Sequence, residues 1–324
     1  MSDNAPVLPD RPKRKTGLIV GIAIAVVAVV VAAILIIPRL GGSGAGADGD
    51  ASSAAGEYAG KTVTIGVADA SQAYWKTYIA LAKKELGVTV KLVNFSDYSQ
   101  PNPALSQKQV DLNQFQHILY LANYNVTNDD DLQPIGATAI YPLPLYSTKY
   151  SDVKDIPEGA KVAIPNDAIN QARGLLVLQS AGLVELKNGG TAFSSVKDID
   201  SAKVEITALD ASQTAGALQS GSVDAAIVNK NYATDAGLNP KDAIAQDDPE
   251  SDSAAPYVNV FAARKADKDN DLYLKLAAIY HDKTVEEGVQ EANAGTAVFR
   301  ETTAAELQKA LAKVEQDAVD AGVK

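Results

Sequence analysis

The sequence predicts an α/β domain of two lobes around a cleft, carried behind a single membrane-spanning helix. Three observations lead to this. An uninterrupted apolar run lies within the first forty of 324 residues. From residue 61 onward, short alternating strands take turns with amphipathic helices. The 264 residues from that point exceed what one small core needs and contain no phosphate-binding loop, which suits two lobes with a ligand cleft between them.

The apolar run is Gly17 to Ile37, without a polar or charged side chain, and Arg11, Lys13, Arg14 and Lys15 precede it. Twenty-one helical residues rise about 30 Å, the hydrocarbon thickness of a bilayer. A cleaved signal peptide has a shorter apolar core of about 7 to 15 residues. Basic flanks stay cytoplasmic, so residues 1–16 form a cytoplasmic tail, 17–37 a signal-anchor, and the chain after Pro38 lies outside the cell. Residues 38–60 are rich in Gly, Ala and Ser and read as a flexible linker, with an r.m.s. reach of roughly 25 to 30 Å. Its Gly44, Gly46 and Gly49 fit G-x-G-x-x-G, but they follow a membrane span and lead into more linker. A dinucleotide loop must instead follow a strand and open a helix.

Of the 29 basic and 40 acidic residues, five and two lie in the first forty, so the remainder carries 24 against 38. An acidic external domain argues against a nucleic-acid partner. The absence of cysteine removes disulfides, thiolate metal sites and thiol catalysis, and leaves no thiol to carry a lipid.

The external domain begins with Thr62 to Ala68, where Val63, Ile65 and Val67 alternate. Ala73 to Leu86 reads as a helix stopped by Gly87, and Val88 to Phe95 returns to strand. Strand, helix and strand in that order imply a parallel sheet with helical crossovers. Further strands are expected at Lys161 to Ile164, Val204 to Leu209, Val223 to Val228 and Tyr257 to Ala263. The last sixty residues read as helical, with Leu272, Leu276 and Ile279 on one apolar face and Leu307, Leu311 and Val314 on another.

Catalytic signatures are missing. His117 and His281 are far apart and stand in no metal-binding spacing. The acidic runs at Asp129 to Asp131 and Asp247 to Asp252 lack the glycine and terminal glutamate of a calcium loop. No nucleophile elbow or S-x-x-K occurs. The expectation is a binding protein with no enzyme activity, cofactor or metal.

Three segments concentrate polar and aromatic groups. In Lys161 to Leu183, a strand breaks at Pro165, Asp167 can cap, and a helix runs from Ala168 to Ala181, closed by Gly182. Asn170 and Arg173 then project from one face near the helix start. The macrodipole there favours an anion and disfavours a cation. Arg173 is therefore expected to serve an anion rather than the fold, either a ligand carboxylate or a local acid. Between Asn94 and Leu121, Tyr98, Phe115, His117 and Tyr120 crowd together, and His117 reads either as a pocket group or as a satisfied buried histidine. Between Asp224 and Tyr232, Asn229 and Asn231 end a strand, where they can contact a ligand or make an ordinary turn.

Long segments then carry a family resemblance: DYSQPNPALSQKQVDLNQFQHILYL from Asp97, YPLPLYS from Tyr141, PNDAINQARGLLVLQ from Pro165, VDAAIVNKNYATDAGL from Val223 and PYVNVFAAR from Pro256. From about Lys61 to its end the chain resembles the methionine-binding proteins of ABC importers, the NlpA or MetQ lipoprotein family. The resemblance implies a periplasmic-binding-protein-like clamshell of type II over 61–324. One lobe would take about 61–143 and 245–324, the other about 144–244. It implies that Tyr98, Phe115, His117 and Tyr141 line a side-chain pocket, that Asn170 and Arg173 grip the ligand carboxylate, and that Asn229 holds the backbone end of the ligand. It further implies a monomer that captures methionine, in the L form, and delivers it to a membrane permease and its ATPase. Another amino acid, a methionine-containing dipeptide, or an adhesin or sensor on the same fold are the alternatives. Family members usually carry a lipidated cysteine, and here the apolar span and linker stand in its place.

Overall fold

A computed structural model describes residues 56–324. The expected membrane span, Gly17 to Ile37, lies outside the described residues, as does most of the linker. Among the described residues no helix is long and apolar enough to cross a membrane.

The described chain builds two five-stranded sheets. The first has the spatial order Thr89–Asn94, Thr62–Val67, Leu112–His117, Asn259–Ala263, Gln133–Ala137. Its first three strands are parallel, joined by the helices Tyr74–Leu86 and Pro101–Ser106. Gly87 ends the longer helix in the left-handed region at φ 69°, where glycine has no Cβ to clash, and its N–H returns to Lys83 O. The second sheet has the order Glu205–Leu209, Lys161–Pro165, Ala225–Ile227, Pro144–Ser147, Ala245–Gln246.

Both sheets are mixed, where the sequence implied parallel pairing. Asn259–Ala263 runs antiparallel to both neighbours in the first sheet, and Pro144–Ser147 does so in the second. These two strands lie just beyond the crossings between the sheets, so no helical crossover within one sheet sets their direction. The strands expected around 161, 204, 223 and 257 all form, within a few residues of their expected ends. The C-terminal helix Ala304–Asp320 starts at a reciprocal cap between Thr303 and Glu306, and buries Leu307, Leu311 and Val314.

Apolar residues cover both faces of each sheet. On the first, Ile65, Trp75, Tyr78, Phe261 and Tyr280 pack on one side, and Leu105, Leu119, Val260 and Leu311 on the other. In the second, Val162, Ile164, Leu175 and Ile227 form one core, and Tyr146, Ala163 and Leu218 the other. These cores hold the carboxyl ends of the parallel strands in place, and ligands of α/β folds bind at such ends.

Candidate ligand-binding site

A cavity of about 70 Å³ lies where the loops of the two sheets meet, and Tyr98, Phe115, His117, Tyr141, Asn170, Arg173 and Asn229 all line it. Seven residues from four separate segments are thus brought together. Asp69, Gln114, Lys230, Asn231 and Asn259 also line it and were not singled out from sequence as site residues, apart from the asparagine at 231.

Each side chain is positioned by a local cause. The strand Leu112–His117 pairs Gln116 with Val260 and Gln114 with Phe261, so Phe115 has no opposite number. Such a bulge re-aims side chains at the end of a strand. His117 then serves as the cap of helix Ile118–Asn128, its Nδ1 accepting the Tyr120 N–H at 3.2 Å. That fixes the neutral tautomer with the proton on Nε2. Burial pushes the His117 pKa down to about 3, the Arg173 charge pushes the same way, and a hydrogen bond with Asn170 opposes them. The residue is only 7 % exposed, and its ring sits edge-on to Tyr257 at 5.2 Å. Phe115, Tyr98 and Tyr120 form an aromatic wall with centroids 5.8 to 6.3 Å apart.

Helix Ala168–Ser180 is capped by Asp167, whose carboxylate accepts the Asn170 N–H at 2.9 Å and the Asn170 side-chain amide at 3.1 Å. Asn170 Oδ1 in turn accepts from Asn229 Nδ2 at 3.0 Å. This leaves Asn229 Oδ1 buried without a partner among the described residues. An orphaned buried carbonyl costs free energy until a donor reaches it, so its place in a cavity wall suits a ligand ammonium.

Arg173 is engaged by the protein itself. Its anion is a protein carboxylate distant in sequence: Nε donates to Asp247 at 2.6 Å, and Nη2 donates to the Tyr141 carbonyl at 2.8 Å. The guanidinium also lies 4.2 Å above the Tyr257 ring. Asp247 Oδ1 accepts the Leu143 N–H as well, so the arginine ties together both segments that cross between the sheets. Arg173 thus makes an ion pair within the protein, one of the two readings its sequence left open, and in doing so it serves the fold. Nη1 makes no hydrogen bond among the described residues, which leaves one edge of the fork for a ligand carboxylate.

Asp69 and Lys230 form a second ion pair in the wall, at 2.8 Å, with the carboxylate buried and the ammonium partly so. Burial opposes ionisation of Asp69. The Lys230 charge, with hydrogen bonds from Lys230, Tyr74 and Trp75, outweighs it and holds the carboxyl below the usual range. Burial likewise works against the Lys230 charge, and Asp69 outweighs it, so its ammonium is held above the usual lysine value. The signal available in the sequence was position alone: Asp69 follows the first strand's carboxyl end and Lys230 follows Asn229. Among the described residues no cluster suits a metal ion.

With this geometry established, comparison with known proteins identifies the group. The profile of the NlpA lipoprotein family matches residues 63–315. The chain belongs to that family. Among similar proteins, the D-methionine-binding lipoprotein MetQ of Escherichia coli (strain K12) is 36% identical over 221 residues, 67% of this chain and 80% of that protein. Among solved structures, the substrate-binding protein of a methionine transporter from Streptococcus pneumoniae has 38% identity and a TM-score of 0.69, over 74% of this chain and 95% of that one. A nutrient-binding protein from Burkholderia cenocepacia bound to methionine has 38% identity and a TM-score of 0.68, over 73% and 99%. The two mixed sheets and their helices are therefore the α/β fold of periplasmic binding proteins.

Proposed function

We propose that this NlpA-family protein is the substrate-binding component of an ABC importer that captures methionine outside the cell and delivers it to a membrane permease driven by an ATPase. The observation that carries the reading is the cavity wall, which joins an aromatic slot to a buried guanidinium with one free edge and to an orphaned amide carbonyl. In this reading Arg173 and Asn170 meet the ligand carboxylate, Asn229 meets its ammonium, and Tyr98, Phe115, His117 and Tyr141 enclose its side chain. A thioether against aromatic edges gains about 0.3 to 1.5 kcal/mol. The lobes, 61–143 with 245–324 and 144–244, form a type II clamshell. A ligand that touches both lobes favours the closed form and shifts the population toward it. No bond is made or broken.

The discriminating measurement is a thermal-shift panel on the full chain in detergent, using L- and D-methionine, leucine, norleucine, a methionine dipeptide, glutamate and lysine. L-methionine at 100 times its dissociation constant should stabilise by about 2.7 kcal/mol. Glutamate and lysine should do nothing, because a buried unpaired charge is costly. Equal shifts from methionine, glutamate and lysine would show the slot assignment to be wrong.

The same proposal assigns Gly17 to Ile37 as an uncleaved single-pass anchor and residues 38–60 as a tether that keeps a monomeric receptor near its permease. The native protein should then stay in membranes through a high-salt wash, and external protease should release a soluble fragment that begins within the tether. A mature N-terminus near residue 45 overturns the anchor.

A further inference from the structure

The geometry points to Lys230, Asn231 and Tyr232 as a clasp that holds the lobes shut around the ligand, with the Lys230–Asp69 ion pair as its main bond. This rests on the importer reading and adds positioning residues to it. The three residues open the helix Lys230–Asp235, directly after the second-sheet strand Ala225–Ile227. Each side chain reaches the other sheet's loops. Lys230 Nζ donates to Asp69 Oδ2 at 2.8 Å. Asn231 Oδ1 accepts from the Tyr98 hydroxyl, and its Nδ2 donates to Ala68 O at 3.4 Å. Tyr232 donates its hydroxyl to Ser96 O at 3.1 Å and lays its ring 4.9 Å from that of Tyr98.

All the partners lie just past the carboxyl ends of two adjacent parallel strands, Thr62–Val67 and Thr89–Asn94. One side of the clasp is a prepared socket. The Asp69 carboxylate is already held by Tyr74 at 2.6 Å and Trp75 at 2.9 Å, both from the start of a first-sheet helix, so it waits in a fixed orientation for a cation. The other side arrives with the second lobe. A buried ion pair recovers little more than the desolvation of its two ions, so such a bond fixes register and can still release. Removing only the lysine would leave a buried carboxylate in the closed form that water would solvate in the open one, which biases the protein toward opening. Lys230 also lies over the Tyr141 ring at 4.9 Å, so the clasp contacts a residue of the side-chain slot.

The test uses Lys230→Met and Tyr232→Phe in the full chain. Tyr232 is not part of the cavity lining, so its effect cannot come from a lost ligand contact. Because the chain has no cysteine, Gln213→Cys and Lys309→Cys place two unique spin labels on exposed helix positions of the two sheets. With methionine, Lys230→Met should raise the dissociation rate about ten- to a hundredfold and Tyr232→Phe about three- to tenfold, as expected for one charged and one neutral hydrogen bond. Both should add a longer label-to-label distance, and association should change little. If Tyr232→Phe leaves dissociation unchanged, the clasp is wrong; if Lys230→Met speeds it with no new distance, the clasp is wrong and Lys230 grips the ligand directly. Should Lys230→Met fail to fold, Tyr232→Phe decides alone. Failure of the wild type to bind methionine overturns the importer reading, and the label distances of the same variants without methionine still decide for or against the clasp.

Discussion

Arg173→Ala should weaken methionine binding by a factor of about thirty to several thousand and also lower the melting temperature measured without methionine. The binding loss follows from removing one partner of a charge pair in a site shielded from water, worth roughly 2 to 5 kcal/mol. The stability loss follows from the other bonds of the guanidinium. With only 5 % of Arg173 exposed, Asp247 would keep a partly buried carboxylate without its cation, and the Tyr141 carbonyl would lose its donor. Arg173→Lys should recover only part of both, since an ammonium cannot reach Asp247, Tyr141 and a ligand in one plane. Calorimetric titration and unfolding of the same variant separate the two roles. Unchanged affinity with reduced stability would make Arg173 a structural tie between the crossing segments and remove it from the ligand's reach.

The second large effect is on pH. His117 has a folded pKa of about 3 against about 6.5 for a free histidine, so as pH falls the unfolded chain takes up the proton first. Stability from keeping His117 neutral is thus fully present above about pH 6.5 and is lost as pH falls toward 3. Between pH 6.5 and 4 the loss attributable to this one ring should reach roughly 3 kcal/mol, at up to about 1.4 kcal/mol per pH unit. His117→Asn isolates it, because asparagine can still accept the helix-capping hydrogen bond but does not titrate. The carboxylates titrate in both proteins and cancel in the difference. The wild type should therefore lose stability faster than the variant across this window in urea titrations. Parallel pH profiles would mean that His117 is solvated and that its ring does not belong to a closed slot.

Some of the fold was legible because its causes are local. Thr62 to Val67 alternates apolar residues, Gly87 can take a positive φ, and Asp167 can cap; each acts within a few residues of itself. The strand Leu112–His117 was not legible. It lies in the middle of the first sheet, yet Asn113, Gln114 and Gln116 occupy it, and amides do not announce a buried strand. They are tolerated because Gln116 and Asn102 exchange hydrogen bonds at 2.6 and 2.7 Å, while Asn113 donates to Asn102 at 2.9 Å. That satisfaction depends on a helix that must already be packed beside the strand.

The candidate site divides along the same line. Sequence by itself determined the α/β class, the cap that aims Asn170 and Arg173 from one helix face, and, through its motifs, seven of the residues that meet in the cavity. The partners of those residues were decided by tertiary structure. Asp247 stands 74 positions from Arg173, and Asp69 stands 161 from Lys230. Propensity and periodicity act over one or two turns, whereas an ion pair depends on which surfaces packing brings within about 3 Å of each other and away from water. For that reason an arginine that reads from its helix as waiting for an anion is found already holding one.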